Sequence, residues 1–439
     1  MSFISLAYLI FLPLTFALYW LRRSERWQNA VLLMASLVFY GWWSMGCLAL
    51  MLGVVVANYG AARCRSRWTT PGIIVCNLGV LGIFKYYDFF AATADLPTLG
   101  LLLPIGISFY TFQLTAYVID VQRGIVPAER SLLRFATFVC FFPQLVAGPI
   151  ERAAHLLPQM QQRRTFCATE ATEGMRLILW GLVKKMLVAD NCAATVDYAF
   201  ANTATLSAPE LWMGALCFAF QIYGDFSGYS DIAVGSARLF GIRLTRNFDR
   251  PYFAASIPDF WRRWHISLMQ WLRDYLYIPL GGNRRGTLRR HLNTLCVFLA
   301  SGLWHGANWT FVLWGAYHAV LFIPATLLGS RCRLVGRMVT PVLVVMGWVI
   351  FRAESVSAAC AYLRGMWDFH APAFTLSRLP LVLIAALLLV ECRGTEPLSH
   401  IERAPLLRSA FARYALYFLL FAAVLWWGGE TATFIYFQF

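Results

Sequence analysis

Three of the chain's seven histidines, His265, His305 and His318, lie in strongly apolar company between residues 260 and 318. That stretch reads FWRRWHISLMQWLRDYLYIPLGGNRRGTLRRH, then an apolar run, then SGLWHGANWTFVLWGAYHAV. An ionisable side chain at membrane depth is a functional hypothesis by default. A neutral imidazole, with an ordinary pKa near 6.5, is the side chain best suited to take a proton from a hydroxyl at neutral pH. Burial disfavours the charged ring and so keeps it basic. His305 comes first: it sits in Trp304-His305-Gly306, where Gly302 and Gly306 let backbone or ligand approach closely. General-base help of that kind contributes on the order of 10²–10⁴ in rate. The competing role is a core histidine hydrogen-bonded between helices, and it weighs most for His318, inside the next apolar run.

A helix turning about 100° per residue would carry Trp261, Trp264, His265, Leu268, Leu272 and Tyr275 on one buried face. Arg262, Arg263, Gln270 and Asp274 would then point away. Trp264, Trp304 and Asn308, beside the two histidines, join the candidate binding set, as do His318 and the polar residues Gln144, Gln221, Tyr223 and Asp225 within apolar segments. Each of these costs energy in hydrocarbon, so each should face the bundle interior or water. Arg262, Arg263, Arg273, Arg284 and Arg285 could hold the phosphates of coenzyme A or an acidic carrier protein. Their competing role is topology and anionic-lipid contact.

Other chemistries lack their spacing. No HxxxH, HExxH or Cys/His pattern suggests a metal, and none is expected. Ser227 in Phe-Ser-Gly only loosely echoes a nucleophile elbow, and Gly281-Gly282-Asn283 reads as a turn, not a phosphate loop. The eleven cysteines form no CxxC pair and read as small buried side chains.

The elements that must position these residues are membrane helices. The chain is 59% hydrophobic and only 13% charged, with mean hydropathy +0.59, against roughly 25% charged for a soluble domain. Its apolar segments are continuous, not alternating, which selects helices over a barrel. Spans are expected at 3–20, 29–43, 46–61, 70–84, 99–119, 174–190, 208–223, 292–304, 308–328, 336–352, 379–392 and 411–428. The count is ten to twelve. The run from Phe3 to Trp20 lacks a basic n-region and a small-residue cleavage site, so it reads as a span.

Residues 131–160 form an apolar run broken at Pro143 and Gly148-Pro149, which suggests a re-entrant hairpin followed by an interfacial helix over 151–164. Residues 224–291 mix aromatics, arginines and turn residues, as suits helices lying on or dipping into the inner face. The net charge of +15 is almost all arginine, clustered between apolar runs. That placement argues against nucleic acid and for the positive-inside rule. With the N-terminus outside, cytoplasmic segments carry thirty of the 37 basic residues and outside segments four. Both termini are therefore expected outside. No internal repeat is visible, which weakens an inverted-repeat transporter.

These residues resemble the membrane-bound O-acyltransferases, in particular the bacterial branch of alginate O-acetylation and teichoic-acid D-alanylation. The resemblance is carried by PIGISFYTFQ at 104–113, FFPQLVAGPIER at 141–152 and QIYGDFSGYSDIA at 221–233. It continues through NFDRPYFAASIPDFWRRWHISLMQWLRDYLYIPLGGNRRG at 247–286, SGLWHGANWTFVLWGAYH at 301–318 and the terminal FIYFQF. It implies an all-α polytopic fold forming one domain over 1–439: N-terminal helices 1–120, a re-entrant and interfacial segment 131–173, a core 221–328 and C-terminal helices 336–439. In that fold a ring of spans surrounds a thinned centre, where a funnel and a tunnel meet at a histidine.

The resemblance further implies that His305 is the catalytic residue and that His265 occupies the second hallmark position. It implies no bound cofactor, an acyl thioester such as acetyl-CoA as donor substrate, and a bacterial inner-membrane location. The implied partners are extracytoplasmic SGNH-hydrolase-type proteins and a polysaccharide synthase complex, with an exopolysaccharide such as alginate or cellulose as acceptor. Two rivals stand beside this reading. One is D-alanyl transfer from a carrier protein to teichoic acid; the other is a non-catalytic translocator whose buried His, Gln and Asp line a path.

Overall fold

A computed structural model describes the chain except residues 65, 67, 147, 329–332, 371–375, 429–433 and 436–439. Arg65, Arg67 and Arg331 of the basic clusters, Ala147 of the expected re-entrant break, and positions 436–439 of the terminal motif thus lie outside the described residues. The regular elements among the described residues are all helical, with no strand. The chain divides into two compact units, residues 1–178 with 230–246, and residues 179–229 with 247–439.

The first unit opens with α1 (Leu6–Trp20), α2 (Glu25–Gly41), α3 (Met45–Arg63), α4 (Thr69–Leu81) and, after a π-helical turn, α5 (Tyr87–Thr93). Next come α6 (Ile107–Gln122), α7 (Leu132–Cys140), the short α8 (Phe142–Leu145), α9 (Ala153–Gln161) and the start of α10 (Ala168–Leu182). Ser5, Ser24, Ser44 and Ser131 cap α1, α2, α3 and α7, each accepting from a backbone N–H of the first turn. Polar side chains inside this unit are matched to one another. Asn58 and Asn77 exchange amide hydrogen bonds at 2.8 and 2.9 Å, and Gln28 bonds both the N–H and the C=O of Arg164 at 3.0 Å. Such pairing satisfies buried polar groups that lipid could not. Among the described residues the helical path stops at Phe141 and again over 148–152, between α7 and α9, while Pro143 sits in the first turn of α8.

The second unit contains the end of α10, a π-helical segment Val183–Ala189, α11 (Asp190–Ala201) and most of α12 (Ala208–Leu239). It continues with α13 (Ile257–Arg263), α14 (Ile266–Leu272), a π-helical turn, α15 (Gly286–His305), α16 (Trp309–Leu328), α17 (Arg333–Arg352), α18 (Val356–Gly365), α19 (Leu379–Glu391) and α20 (Ala410–Trp427). Small residues set its close approaches. A Cβ at Gly224 would stand 2.8 Å from the Lys184 carbonyl, and one at Gly228 2.7 Å from that of Gly181. The Gly224-x3-Gly228 stripe therefore lets α12 touch the backbone of its neighbour, the small-residue packing of membrane helices. This corrects the sequence expectation for 224–231: the QIYGDFSGYSDIA stretch is the interior of one 32-residue helix, not a loop on the inner face. Its glycines serve helix contact, not turns, and Ser227 and Ser230 are buried within the helix.

Among the described residues, five helical stretches are long and apolar enough to cross a membrane: Met45–Arg63, Thr69–Thr93, Trp309–Thr326, Leu334–Arg352 and Ala410–Trp427, with Leu6–Trp20 and Leu379–Glu391 shorter. Several other expected spans carry polar or ionisable side chains. In α6, Ser108, Gln113 and Asp120 are buried, and in α12 Asp225, Ser227 and Ser230 are.

Candidate active site

The segment around His265 is not the single helix that its periodicity suggests. Ser256 caps α13 by accepting from the Asp259 N–H at 3.2 Å, and Asp259 reaches back to the Ala255 N–H at 3.0 Å, a reciprocal capping pair. The helix then stops. Trp264 is extended and His265 takes a left-handed conformation, φ 43°, ψ 54°. For a non-glycine residue that costs about 1–2 kcal/mol, and it persists only where the surroundings over-determine it. Here they do: the Asp249 N–H donates to Arg263 O, the Ile266 N–H donates to Asn247 O, both at 2.9 Å, and Ser267 Oγ donates to Asn247 Oδ1 at 2.6 Å. Residues 247–249 clamp both sides of the break. The correction has a physical reason: those long-range bonds, invisible to periodicity, outweigh the helical option.

His305 is the last residue of α15, and α16 starts four residues later. The two helices cross on glycine. A Cβ at Gly302 would lie 2.1 Å from the Phe311 carbonyl oxygen, and one at Gly315 2.3 Å from that of Phe298. At Gly306 it would meet the Phe311 ring. Gly302 and Gly306 thus admit the protein's own backbone and a phenyl ring, not a ligand. Asn308 is a helix cap, accepting from the Thr310 N–H and donating to Glu354 O, both at 3.1 Å.

The tertiary structure brings His265 and His305 together, with ring centroids 6.4 Å apart and both side chains buried. Trp304 meets His265 at 5.4 Å and His305 at 5.0 Å. Trp314 and Phe351 present to His305 at 5.3 and 5.4 Å, and Phe226 meets His265 edge-on at 4.7 Å. Trp264 stacks on Phe260 and approaches Trp348 at 4.7 Å. His318 belongs to the same aromatic wall but not to the pair: its ring lies against Trp261 at 4.9 Å and Trp314 at 5.0 Å, and a Cβ at Gly347 would stand 2.8 Å from its Nε2. Two buried imidazoles thus lie side by side in a shell of indole and phenyl rings.

The remaining candidates are placed differently. Gln144 lies in the first unit, donating to Gln113 Oε1 at 3.0 Å and Val139 O at 3.1 Å. Gln221 is half-buried on α12. The Tyr223 hydroxyl donates to buried Glu391 at 2.6 Å while its ring lies 6.1 Å from Trp264. Asp225 pairs with Lys185 at 2.8 Å. Arg263 pairs with Asp259 at 3.0 Å, and Arg262 is exposed. Ser227 sits buried inside α12, with no elbow around it. A cavity of about 430 Å³ adjoins the wall; Arg273 and Arg290 contribute guanidinium groups, His291 lines it beside them, and Phe298, which also packs on His318, contributes an apolar ring. Sequence reasoning missed Trp314, Trp348 and Phe351 as walls and Glu391 as a buried partner. Glu391 had left a signal, a carboxylate ending the apolar run LPLVLIAALLLVE.

Fold and site define a helical membrane enzyme whose ionisable rings are buried in an aromatic core. The chain belongs to the membrane-bound O-acyltransferase family, which residues 127–360 match. It is similar to a probable alginate O-acetylase of Pseudomonas aeruginosa, 44% identical over 387 residues, covering 82% of this chain and 73% of that one. A peptidoglycan O-acetyltransferase of Helicobacter pylori is 36% identical over 409 residues, 81% of this chain and 77% of its own. A teichoic acid D-alanyltransferase of Bacillus subtilis is 27% identical over 286 residues, 61% and 71% of the two chains. The protein is accordingly an O-acyltransferase, a multi-pass membrane protein.

Proposed function

We propose that this enzyme moves an acetyl group from a cytoplasmic thioester, acetyl-CoA, toward an extracytoplasmic exopolysaccharide of the alginate type, with His305 as general base. The observation that carries the reading is the buried His305–His265 pair, 6.4 Å between ring centroids, in a chain 44% identical to a probable alginate O-acetylase. His305 takes the proton of an acceptor hydroxyl, either of the polymer or of a relay residue on a partner. The alkoxide attacks the thioester carbonyl, the C–S bond breaks, and the departing thiolate receives the proton. His265, fixed by its strained backbone, orients donor or acceptor beside it. The cavity lined by the guanidinium groups of Arg273 and Arg290 suits the phosphates of a coenzyme A thioester. SGNH-hydrolase-type partners outside would finish the transfer. The weight of arginines between spans supports a bacterial inner-membrane orientation with both termini outside. D-alanyl transfer is less favoured, since identity to the D-alanyltransferase is 27%.

The test is polymer O-acetyl content in cells whose own copy is replaced by His305→Ala, with membrane abundance of the variant measured in parallel. Abundant protein with acetylation down by 10²-fold or more, the scale of general-base help, is expected. Wild-type acetylation in that strain removes the mechanism and brings translocation forward.

A further inference from the structure

The acyl transfer proposed above makes no use of a buried charge cluster on α12 and the segment that precedes α11. Lys185 Nζ lies 2.7 Å from Asp190 and 2.8 Å from Asp225, and all three residues are buried. Taking three charges out of water is costly unless the geometry returns something specific. What it returns is a grip on a distant part of the chain. Asp225 also accepts a hydrogen bond from the backbone N–H of Ile435 at 2.7 Å, 210 residues away. The neighbouring ring of Phe434 lies 4.3 Å from Tyr229 and 6.3 Å from Phe226. Phe226 is the ring that meets His265 at 4.7 Å. One turn of α12, Asp225 to Tyr229, is thus held by Lys185 through its carboxylate, covered by Phe434 and Ile435, and turned toward the histidine through Phe226.

We infer that Asp225 and Phe434 are positioning residues: with Lys185 they strap residues 434–435 onto α12 and so fix the Phe226 wall that sets the His265 ring. The inference rests on the reading of His265 as part of the site. A carboxylate suits the task because a charge-assisted bond to a backbone N–H is about twice as strong as a neutral one. Gly224 and Gly228 explain how the carboxylate reaches its cation, since they bring α12 within backbone contact of residues 181–185. Without the strap, Phe226 gains room, the His265 ring gains orientations, and the reacting groups lose alignment. Misplacement by about 1 Å costs on the order of 100-fold in rate.

The experiment uses the full chain in native membranes, with acetyl-CoA as donor, and compares Asp225→Ala, Asp225→Asn, Phe434→Ala and the Asp225→Ala/Phe434→Ala double. Each alanine variant should lower kcat roughly 10- to 100-fold, with KM for acetyl-CoA and membrane abundance within about twofold of wild type. The double should be no worse than the worse single, because both remove one unit. Asp225→Asn keeps an acceptor for the Ile435 N–H and should recover most of kcat. Wild-type kcat in both alanine variants overturns the inference, as does a loss of activity that only follows a loss of abundance. If His265→Ala and His305→Ala keep full kcat, the site reading has failed; if they are inactive while the strap variants are fully active, only the strap has failed.

Discussion

Replacing Gly302 by alanine tests how the site is built without touching a functional group. The added Cβ would stand 2.1 Å from the carbonyl oxygen of Phe311 and 3.0 Å from its carbon. These are backbone atoms, so no rotamer change relieves the clash. Ordinary contact begins at about 3.4 Å, so α15 and α16 must separate locally by about 1.3 Å (3.4 less 2.1). Overpacking of that kind costs about 1–3 kcal/mol. His305 lies three residues further along α15, and its ring is held between Trp304, Trp314 and Phe351. Moving its helix by about 1 Å should lower kcat on the order of 100-fold in protein that is still folded. The assay pairs initial acetyl-transfer rate from acetyl-CoA with thermal unfolding in detergent. Gly53→Ala is the control: it lies inside α3 with nothing within 4 Å of the added methyl. It should keep kcat and gain about 0.8–1 kcal/mol from helix propensity. Wild-type kcat and unfolding temperature in Gly302→Ala would refute the claim that glycine contact positions His305.

Two further outcomes follow from the geometry. Asn308→Ala should cost about 0.5–2 kcal/mol by removing the cap of α16, with rate per folded molecule unchanged and Asn308→Asp largely stable. A specific loss of kcat in folded Asn308→Ala would instead return this residue to the substrate. His155, outside the spans on α9, has its pKa raised from 6.5 by the 2.7 Å hydrogen bond to Glu151. A raised folded pKa contributes stability that is full below the unfolded value and lost as pH rises through the folded one. The wild type's advantage in unfolding temperature over His155→Gln should therefore be greatest below pH 6.5 and fade as pH climbs past the raised value; an advantage that grows with pH contradicts the pair.

Much of the molecule was legible from its chain. Long apolar segments with charge confined between them admit little except membrane helices, because backbone polar groups must be satisfied within the lipid. His265 and His305 stood out because an ionisable ring in such company is a functional hypothesis by default, and their motif residues carried the family resemblance that residues 127–360 bear out. Other features depended on atoms far apart in sequence. The 247–249 segment decides that the helix breaks at His265 and holds that residue left-handed. Contact with residues 181–185 decides that the glycines and serines of 224–230 lie inside a helix, since a Gly-x3-Gly stripe reads as loop until a neighbouring backbone fills it. The same distinction sorts the polar candidates. Sequence could say that Asn308, Gln144, Tyr223 and Asp225 must be satisfied somewhere, because an unpaired polar group in an apolar core is costly. Only the tertiary structure named the partners: the α16 cap, Gln113, Glu391, and Lys185 with the Ile435 backbone.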